Sequence, residues 1–315
     1  MSADLLIVGS MAYDSVKTPH GKRERILGGS ASYCSMAASY FCDPAIIAVV
    51  GEDFQAADRA LLQGHGVDLS AVETVKGAKT FHWKGEYGDN LNEAVTLRTD
   101  LNVLSDFDPA VPPELRGVPF LFLANIDPDA QLKVIEQVEA PRFIAADTMN
   151  FWIDNKRERL MRVIPLVDAL IINEAEAKEL TGEHNTFKAA RVILEWGPET
   201  LIIKRGEYGV LVVSSEDLFA APAYPIERVV DPTGAGDTFA GGFMGFLAGS
   251  ELPRNPSVVR QAVIAGSVMA SFDVEDFSLS NLASLDVAAR EKRFRDFSTL
   301  TRFETPKAFP KAGRK

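Results

Sequence analysis

Short apolar runs alternate along this chain with segments of helical periodicity, and this alternation restricts the fold more than any other feature of the sequence. Seven runs predict strands, at residues 5–8, 45–50, 120–124, 143–146, 169–172, 201–204 and 210–213. Eight segments predict helices, at residues 32–41, 53–65, 129–138, 157–166, 175–181, 186–196, 238–249 and 257–272. Most of the runs are apolar throughout, which is typical of strands buried on both faces. The sequence therefore predicts an α/β fold with helices on both faces of a mostly parallel central sheet.

Two segments do not follow this alternation. Residues 15–27 are mostly polar and charged, between the first predicted strand and the first predicted helix. Residues 78–104 contain two strand-like runs separated by the turn-rich stretch 85–92, as in a β-ribbon. We expect these segments to form a small β flap, called the lid below. The length of 315 residues suits a single domain over residues 1–304, and the Pro- and Lys-rich residues 305–315 are expected to form a flexible tail.

Charge and composition argue against several classes of function. The net charge is −11, and the body of the chain has no dense run of Lys and Arg, so we expect no nucleic-acid binding. No apolar run approaches the roughly 20 residues that span a bilayer, and the N-terminus does not resemble a signal peptide, so we expect no membrane association. The two cysteines, Cys34 and Cys42, give no disulfide framework, which fits a reducing cytoplasm. The spacing of the histidines supports no zinc site.

The stretch Asp231–Asp237, with the sequence Asp-Pro-Thr-Gly-Ala-Gly-Asp, carries the strongest chemical signal. A glycine-rich turn before a helix directs backbone N–H groups outward, so Gly234, Ala235 and Gly236 are expected to form an anion hole. Asp237 alone is explained equally well as a helix cap. The glycines around it favour a carboxylate beside a phosphate, where it can accept a proton from a hydroxyl group. The sequence contains neither a P-loop nor a complete G-x-G-x-x-G motif.

This stretch resembles the D-T-x-G-A-G-D signature of the ribokinase family, also called the PfkB carbohydrate kinase family, with Pro232 at the second position. The resemblance extends over residues 5–282. It implies a ribokinase-like three-layer α/β fold with a β lid. It also implies an ATP-dependent kinase that uses Mg²⁺-ATP, with Asp237 as the catalytic base and Gly234, Ala235 and Gly236 around the transferred phosphate. Members of the family often form homodimers through the lid, and the same is expected here.

The resemblance also implies an acceptor site. The substrate-binding residues that match the family are Asp14, Gly28, Gly29, Tyr33, Asp147 and Asn150. A carboxylate such as that of Asp14 can accept hydrogen bonds from two neighbouring hydroxyl groups. Tyr33 stands where the family usually has Asn, which changes the shape of the pocket. On the residues alone, the glycine pair is explained as well by a turn into a helix, and Asp14 by a surface turn.

The resemblance places the nucleotide at the carboxyl ends of the later strands. The residues it assigns there are Asn173, Lys204, Gly206, Gly209, Thr233 and Gly266, with Glu176 holding Mg²⁺ through water. Asn173 and Glu176 are also explained by the capping of a helix, and the two explanations are compatible. Asp231 matches the first part of a K⁺ site in the family. The later loop, residues 272–278, lacks the usual Gly, so the need for K⁺ stays open.

Three hypotheses follow for the function. The first is a kinase that phosphorylates a hydroxyl of a small sugar or sugar derivative. The second is a nucleoside kinase, because aromatic side chains that can stack on a base are frequent near the expected acceptor site; they are Tyr33, Phe81, His82, Trp83, Tyr87, Phe151 and Trp152. The third is a catalytically silent regulator, against which the presence of Asp237, Asn173 and Glu176 argues.

Overall fold

A computed structural model describes residues 3–302 of the chain. The predicted tail at residues 305–315 lies outside the described residues. The strands are β1 (Leu5–Val8), β2 (Ala12–Thr18), β3 (Gly21–Gly28), β4 (Pro44–Gly51), β5 (Val72–Val75), β6 (Phe81–Tyr87), β7 (Ala94–Asp100), β8 (Phe120–Leu123), β9 (Phe143–Asp147), β10 (Ala169–Asn173), β11 (Thr200–Lys204), β12 (Val210–Ser214) and β13 (Leu218–Ala221). The α-helices are α1 (Ser30–Ala38), α2 (Ala56–Gly64), α3 (Pro128–Ile135), α4 (Asn150–Asn155), α5 (Arg157–Val163), α6 (Glu174–Thr181), α7 (Thr186–Glu195), α8 (Ala235–Ala248), α9 (Pro256–Asp273), α10 (Ser280–Ala283) and α11 (Val287–Thr301).

The main sheet confirms the predicted mostly parallel arrangement. It has nine strands in the order β13-β12-β11-β10-β9-β8-β1-β4-β5. The strands from β11 to β5 in this order pair in parallel, whereas β12 and β13 are antiparallel to their neighbours. The run at 210–213 is therefore a hairpin partner of β11, because the turn at Gly206–Tyr208 reverses the chain within a few residues. The four-residue strands β5, which is partly polar, and β13, which is apolar but largely exposed, were not predicted from the sequence.

Both faces of the main sheet are buried, as the continuous apolar runs predict. In β1, Leu5 and Ile7 point into a core shared with α1, α2, α8 and α9. Leu6 and Val8 point into a second core shared with α3, α5, α6 and α7. This two-sided burial explains why the strand sequences do not alternate between apolar and polar residues.

The predicted helices are all present, with ends that differ by a few residues. The largest consequence concerns α8, which begins at Ala235 and not at about Asp237 or Thr238 as predicted. The predicted helix at 157–166 ends as an α-helix at Val163 and continues as the 3-10 turn Ile164–Leu166, which contains Pro165. The helices α4, α10 and α11 were not predicted. Within residues 3–302, no helix is long and apolar enough to cross a membrane.

The lid is a separate sheet of four strands in the order β3-β2-β6-β7. Its first hairpin begins at Ala12, earlier than the predicted residue 15, so Asp14 belongs to the lid. Strand β2 pairs in parallel with β6, and Asp14 lies opposite Trp83. Because side chains alternate along a strand and paired residues point to the same side, Trp83, Gly85 and Tyr87 share the face of Asp14.

Candidate active site

Strands β9, β10 and β11 are parallel neighbours, so their carboxyl ends meet at one edge of the main sheet. Asp147 ends β9, Asn173 ends β10 and Lys204 ends β11. In open α/β sheets, ligands bind outside this edge. The fold therefore brings together three polar residues that are far apart in the sequence.

The turn before α8 presents free backbone donors to this edge. Gly234 is the N-cap of α8 with a φ of 81°, a left-handed conformation that favours glycine. The N–H of Ala235 donates to Pro232 O at 3.2 Å, and the first helical bond runs from Thr238 N to Gly234 O at 2.8 Å. Within residues 3–302, the N–H groups of Gly236 and Asp237 have no acceptor. Two adjacent free donors at a helix N-terminus are suited to an anion.

Tyr33 supports this turn from below. A Cβ placed on Gly234 would lie 2.4 Å from Cε1 of the Tyr33 ring, so only glycine fits beside the ring. Tyr33 is 1% exposed, and its hydroxyl has no partner among the described residues. Tyr33 therefore lies under this turn, residues 234–237, which is called the anion turn below. The family pattern has Asn at the position of Tyr33. The sequence could not indicate this contact, because Tyr33 and Gly234 belong to distant segments.

Lys204 supplies a buried positive charge beside the turn. Its Nζ lies 2.7 Å from Oδ2 of Asp147, and a Cβ on Gly236 would lie 3.1 Å from the same nitrogen. Burial lowers the pKa of Lys204, but the carboxylates of Asp147 and Glu176 outweigh this effect and hold it above its ordinary value. The lysine is therefore charged. The resemblance assigns Asp147 to the acceptor site. In the structure, its contact with Lys204 places it beside the anion turn.

Asn173 and Glu176 form a capping box at the start of α6. The Asn173 side chain accepts from Glu176 N at 2.8 Å, and Glu176 Oε2 accepts from Asn173 N at 2.7 Å. Burial and the nearby Asp147 raise the pKa of Glu176 to about 7, against the effect of Lys204. The capping interpretation is thus present in the structure, and the box holds the Glu176 carboxyl near Asp147 and Lys204.

Asp237 lies in the first turn of α8, three residues after the Gly234 N-cap. The alternative that Asp237 is the helix cap does not describe this geometry, since Gly234 occupies that position without a side-chain bond. Burial and the charge of Asp147 raise the pKa of Asp237 to about 7, and Lys204 opposes them. A carboxyl with a pKa near neutrality is well matched to accepting and releasing protons.

If Asp237 is the base, kcat/KM should fall as the pH drops below about 7, because a protonated carboxyl cannot accept the hydroxyl proton. We expect a decline of about tenfold per pH unit on the acidic side. The measurement is a pH profile of kcat/KM for the wild type and for Asp237→Asn. Glu176 titrates in the same range, so an acidic limb that persists unchanged in Asp237→Asn would contradict the assignment.

The acceptor-side residues Asp14, Gly28 and Gly29 also meet in space. A Cβ on Gly28 would lie 1.9 Å from Oδ2 of Asp14, so this glycine is needed for the carboxylate to fit. Gly29 is the N-cap of α1 with a φ of 93°. Burial, and then the charges of Asp231 and Asp237, raise the pKa of Asp14 to about 8. The acceptor side adjoins the anion turn, because α1 begins after Gly29 and carries Tyr33, whose ring packs against Gly234.

The lid places aromatic rings over the same region. A Cβ on Gly85 would lie 2.1 Å from Cη2 of Trp83, so the indole packs directly against the backbone of Gly85. The indole N–H donates to Thr96 Oγ1 at 3.2 Å. On the same lid face, Tyr87 accepts a hydrogen bond from Thr233 Oγ1 at 3.3 Å. The lid is thus closed against the segment that precedes the anion turn.

Two predicted site residues lie apart from this cluster. The exposed side chain of Asn150 donates to Glu179 on α6. Gly266 is buried in the contact between α8 and α9, where an added Cβ would lie 2.6 Å from Phe239 O. In this structure Gly266 therefore serves the close packing of two helices. Gly206 and Gly209, in contrast, lie in the turn that directly follows Lys204.

Asp231 and Asp273 form a second acidic group beneath the turn. Asp231 Oδ1 accepts from Thr233 N at 2.9 Å, while its Oδ2 has no partner within residues 3–302. Asp273 was missed by the sequence analysis. It is 1% exposed with both oxygens unpaired among the described residues, and burial followed by Asp231 and Asp237 raises its pKa well above the usual range. An aspartate directly after the apolar stretch of α9 was the available signal.

Comparisons with known proteins match this chain to one family over most of its length. Residues 2–284 match the family described as pfkB family carbohydrate kinase. A cytidine kinase of Thermococcus kodakarensis is 30% identical over 258 residues, which cover 79% of this chain and 90% of that protein.

Solved structures show the same fold. The nucleoside kinase of Burkholderia thailandensis in complex with inosine aligns with a TM-score of 0.74 and 20% identity, covering 93% of this chain and 98% of that one. A putative ribokinase II of E. coli in complex with ATP and Mg²⁺ aligns with a TM-score of 0.77 and 18% identity, covering 93% and 99%. The ribokinase-like fold predicted from the sequence is therefore confirmed.

Proposed function

The chain belongs to the pfkB family of carbohydrate kinases, phosphotransferases that act on hydroxyl groups, and we propose that its acceptor is a nucleoside. This choice favours the second of the three sequence hypotheses over the simple sugar that the first one named. It is supported by the similarity to a cytidine kinase over most of the chain. A silent regulator is not favoured, because the candidate base and anion turn are intact.

The observation that carries the proposal is the position of the Trp83 indole on the same lid face as Asp14. A nucleoside has two parts, a ribose with neighbouring hydroxyls and an aromatic base. The Asp14 carboxyl group can form hydrogen bonds with the hydroxyls, and an indole offers a stacking surface for the aromatic base. A simple sugar would use Asp14 and leave the indole without a stacking partner.

The donor side supports transfer of the γ-phosphate of ATP. The free N–H groups of Gly236 and Asp237 and the charge of Lys204 converge where negative charge would develop on the transferred group. Asp237 accepts the proton of the acceptor hydroxyl as the new O–P bond forms and the bond between the γ-phosphorus and the β,γ-bridging oxygen breaks, with ADP as the leaving group. Fixed donors and a buried lysine hold the reactants in line and require little rearrangement, which is how phosphoryl transfer is mainly accelerated.

Mg²⁺-ATP is the proposed cofactor, and Asn173 and Glu176 are the residues that would lie nearest the metal. Among the described residues, no group of three or more His, Cys, Asp or Glu side chains forms a metal cage. This fits Mg²⁺, which usually keeps several waters and is held largely by substrate phosphates. When bound, the metal neutralises phosphate charge. Asp231, whose Oδ2 has no partner among residues 3–302, is the residue proposed to approach K⁺ if the enzyme uses it.

A screen of acceptors tests the proposal directly. With Mg²⁺-ATP, we expect ADP release with one or more of cytidine, uridine, adenosine, guanosine and inosine. Turnover with ribose, fructose or 2-keto-3-deoxygluconate should be much lower, because these compounds have no aromatic base to stack on Trp83. The measurement is a coupled ADP assay with and without K⁺. Turnover confined to the simple sugars would refute the nucleoside assignment while leaving the kinase class intact.

The variant Trp83→Leu tests whether the indole binds the aromatic base of the nucleoside. Stacking of one base on an aromatic ring is worth roughly 1–3 kcal/mol, so KM for a nucleoside should rise about 5- to 150-fold. Turnover at saturation should change little, because Trp83 touches no reacting group. An unchanged KM would mean that the indole only packs the lid.

We also propose that two copies of the chain form a homodimer through the lid. Strand β7 is the outer strand of the lid, and Val95 and Leu97 on it are 61% and 53% exposed. An exposed apolar edge strand is a ready surface for pairing with a second copy.

We propose a cytoplasmic location, because Cys34 and Cys42 are free thiols, which suits a reducing cytoplasm.

A further inference from the structure

The tip of the lid contacts the turn that follows Lys204. Asn92, between β6 and β7, donates from Nδ2 to Glu207 Oε1 at 3.1 Å. A Cβ on Gly206 would lie 2.1 Å from Asn92 Oδ1, and Gly206 has a φ of 54°. This close approach therefore requires glycine at position 206, both for space and for backbone conformation. The contact joins segments 115 residues apart.

The contacted turn is continuous with the donor-side cluster. Gly206 follows Lys204 by two residues, and Lys204 carries the buried charge beside the anion turn. Arg205, between them, interacts with Glu174 in the first turn of α6 at 3.4 Å. The same helix carries the capping box of Asn173. A shift of the turn at Gly206 would therefore move residues next to those proposed to bind ATP.

The other end of the same lid is part of the acceptor side. Asp14 on β2 pairs with Trp83 on β6, and β6 runs directly into the tip that carries Asn92. Tyr87, at the end of β6, accepts from Thr233 just before the anion turn. A single sheet therefore covers the acceptor and contacts the donor side at two points.

We propose that Asn92 is a positioning residue of the nucleotide side, through which an acceptor under the lid and ATP at the turn strengthen each other's binding. This proposal rests on the proposed kinase function. A closed lid gains the Asn92–Glu207 hydrogen bond, so a ligand that favours the closed lid also favours the turn in its bonded position. Coupling between two binding sites is reciprocal, so either ligand raises the affinity for the other by the same factor.

The test measures that factor by calorimetry. Binding of the non-hydrolysable analogue AMP-PNP with Mg²⁺ is titrated with and without saturating cytidine, and cytidine with and without AMP-PNP. If the screen shows that only inosine or ribose is phosphorylated, that compound replaces cytidine. We expect Asn92→Ala to reduce the coupling factor about 3- to 10-fold, the effect of one lost hydrogen bond. Its affinity for AMP-PNP alone should stay at the wild-type value.

Matched variants separate this contact from general damage to the lid. Asp89, on the same exposed turn, makes no side-chain hydrogen bond in the described part of the chain, so Asp89→Ala should keep the wild-type coupling. Glu207→Gln retains an acceptor oxygen and should resemble the wild type, whereas Glu207→Ala should resemble Asn92→Ala. Asn92 is exposed, and a thermal melt checks that the variant is folded.

Two results would overturn the inference. In one, Asn92→Ala keeps the full coupling factor. In the other, it weakens AMP-PNP binding equally with and without the acceptor, which would make Asn92 a simple nucleotide contact. Failure of the proposed function has a different signature, which is read from the screen of the wild type: turnover confined to simple sugars refutes the nucleoside acceptor, and no ADP release with any acceptor refutes the kinase activity on which the inference rests.

Discussion

Replacing Asp237 with asparagine is expected to lower turnover about 10²- to 10⁴-fold, the range that a positioned general base contributes. Asparagine has nearly the same size and keeps the backbone N–H of residue 237 in the anion turn. It cannot accept the hydroxyl proton. AMP-PNP affinity should therefore be retained within a few-fold, while kcat falls. Steady-state kinetics and calorimetry of the same preparation separate the two quantities.

The control for this variant is Asp273→Asn, another change of a buried carboxyl in the same acidic region. The charge of Asp237 raises the pKa of Asp273, but Asp273 is the last residue of α9 and does not belong to the anion turn of residues 234–237. Its replacement should alter turnover far less than Asp237→Asn. Equal losses in the two variants would show that turnover depends on the acidity of the region, and Asp237 would lose its role as the base.

Replacing Lys204 with methionine is expected to be costly in two ways. Lys204 and Asp147 form an ion pair whose side chains are 17% and 4% exposed, so the change leaves a buried carboxylate without its partner. Breaking such a pair typically lowers the free energy of unfolding by roughly 3–5 kcal/mol. Turnover should also fall about 10²-fold or more, because one charge facing the transferred phosphoryl group is removed. Urea denaturation and kinetics give the two effects.

The double variant Lys204→Met with Asp147→Asn separates these effects. Removing both charges relieves the unpaired carboxylate, so most of the lost stability should return. Turnover should remain low, since the positive charge is still missing. The single variant Asp147→Asn is the reference for any direct effect of Asp147. Recovery of turnover in the double variant would mean that Lys204 acts only by neutralising Asp147.

The sheet and its layers could be predicted because they depend on local patterns. Runs such as that of β1 are apolar at every position, and burial on both faces needs no information from the rest of the chain. The run of β12 was predicted as a strand, but composition does not reveal its antiparallel direction, because a buried run has the same composition in either direction. The start of α8 was misplaced by two to three residues, because more than one residue of the Gly-rich turn can serve as a helix cap.

The sequence by itself determined the segment that carries the chemistry. The glycines before Asp237 require a particular backbone, and a helix that begins there must expose its first N–H groups, whatever the surrounding fold. The lid strands and the capping box of Asn173 and Glu176 are also short-range features, set by neighbours within a few residues.

Only the tertiary structure decided which distant residues meet at that segment. Lys204 pairs with Asp147 across 57 residues because β9, β10 and β11 are neighbours in the sheet. Tyr33 lies under Gly234 because α1 packs against α8, and Asn92 reaches Glu207 because the lid folds back over the sheet edge. These contacts depend on strand order and on the closed lid, which no local pattern of side chains encodes.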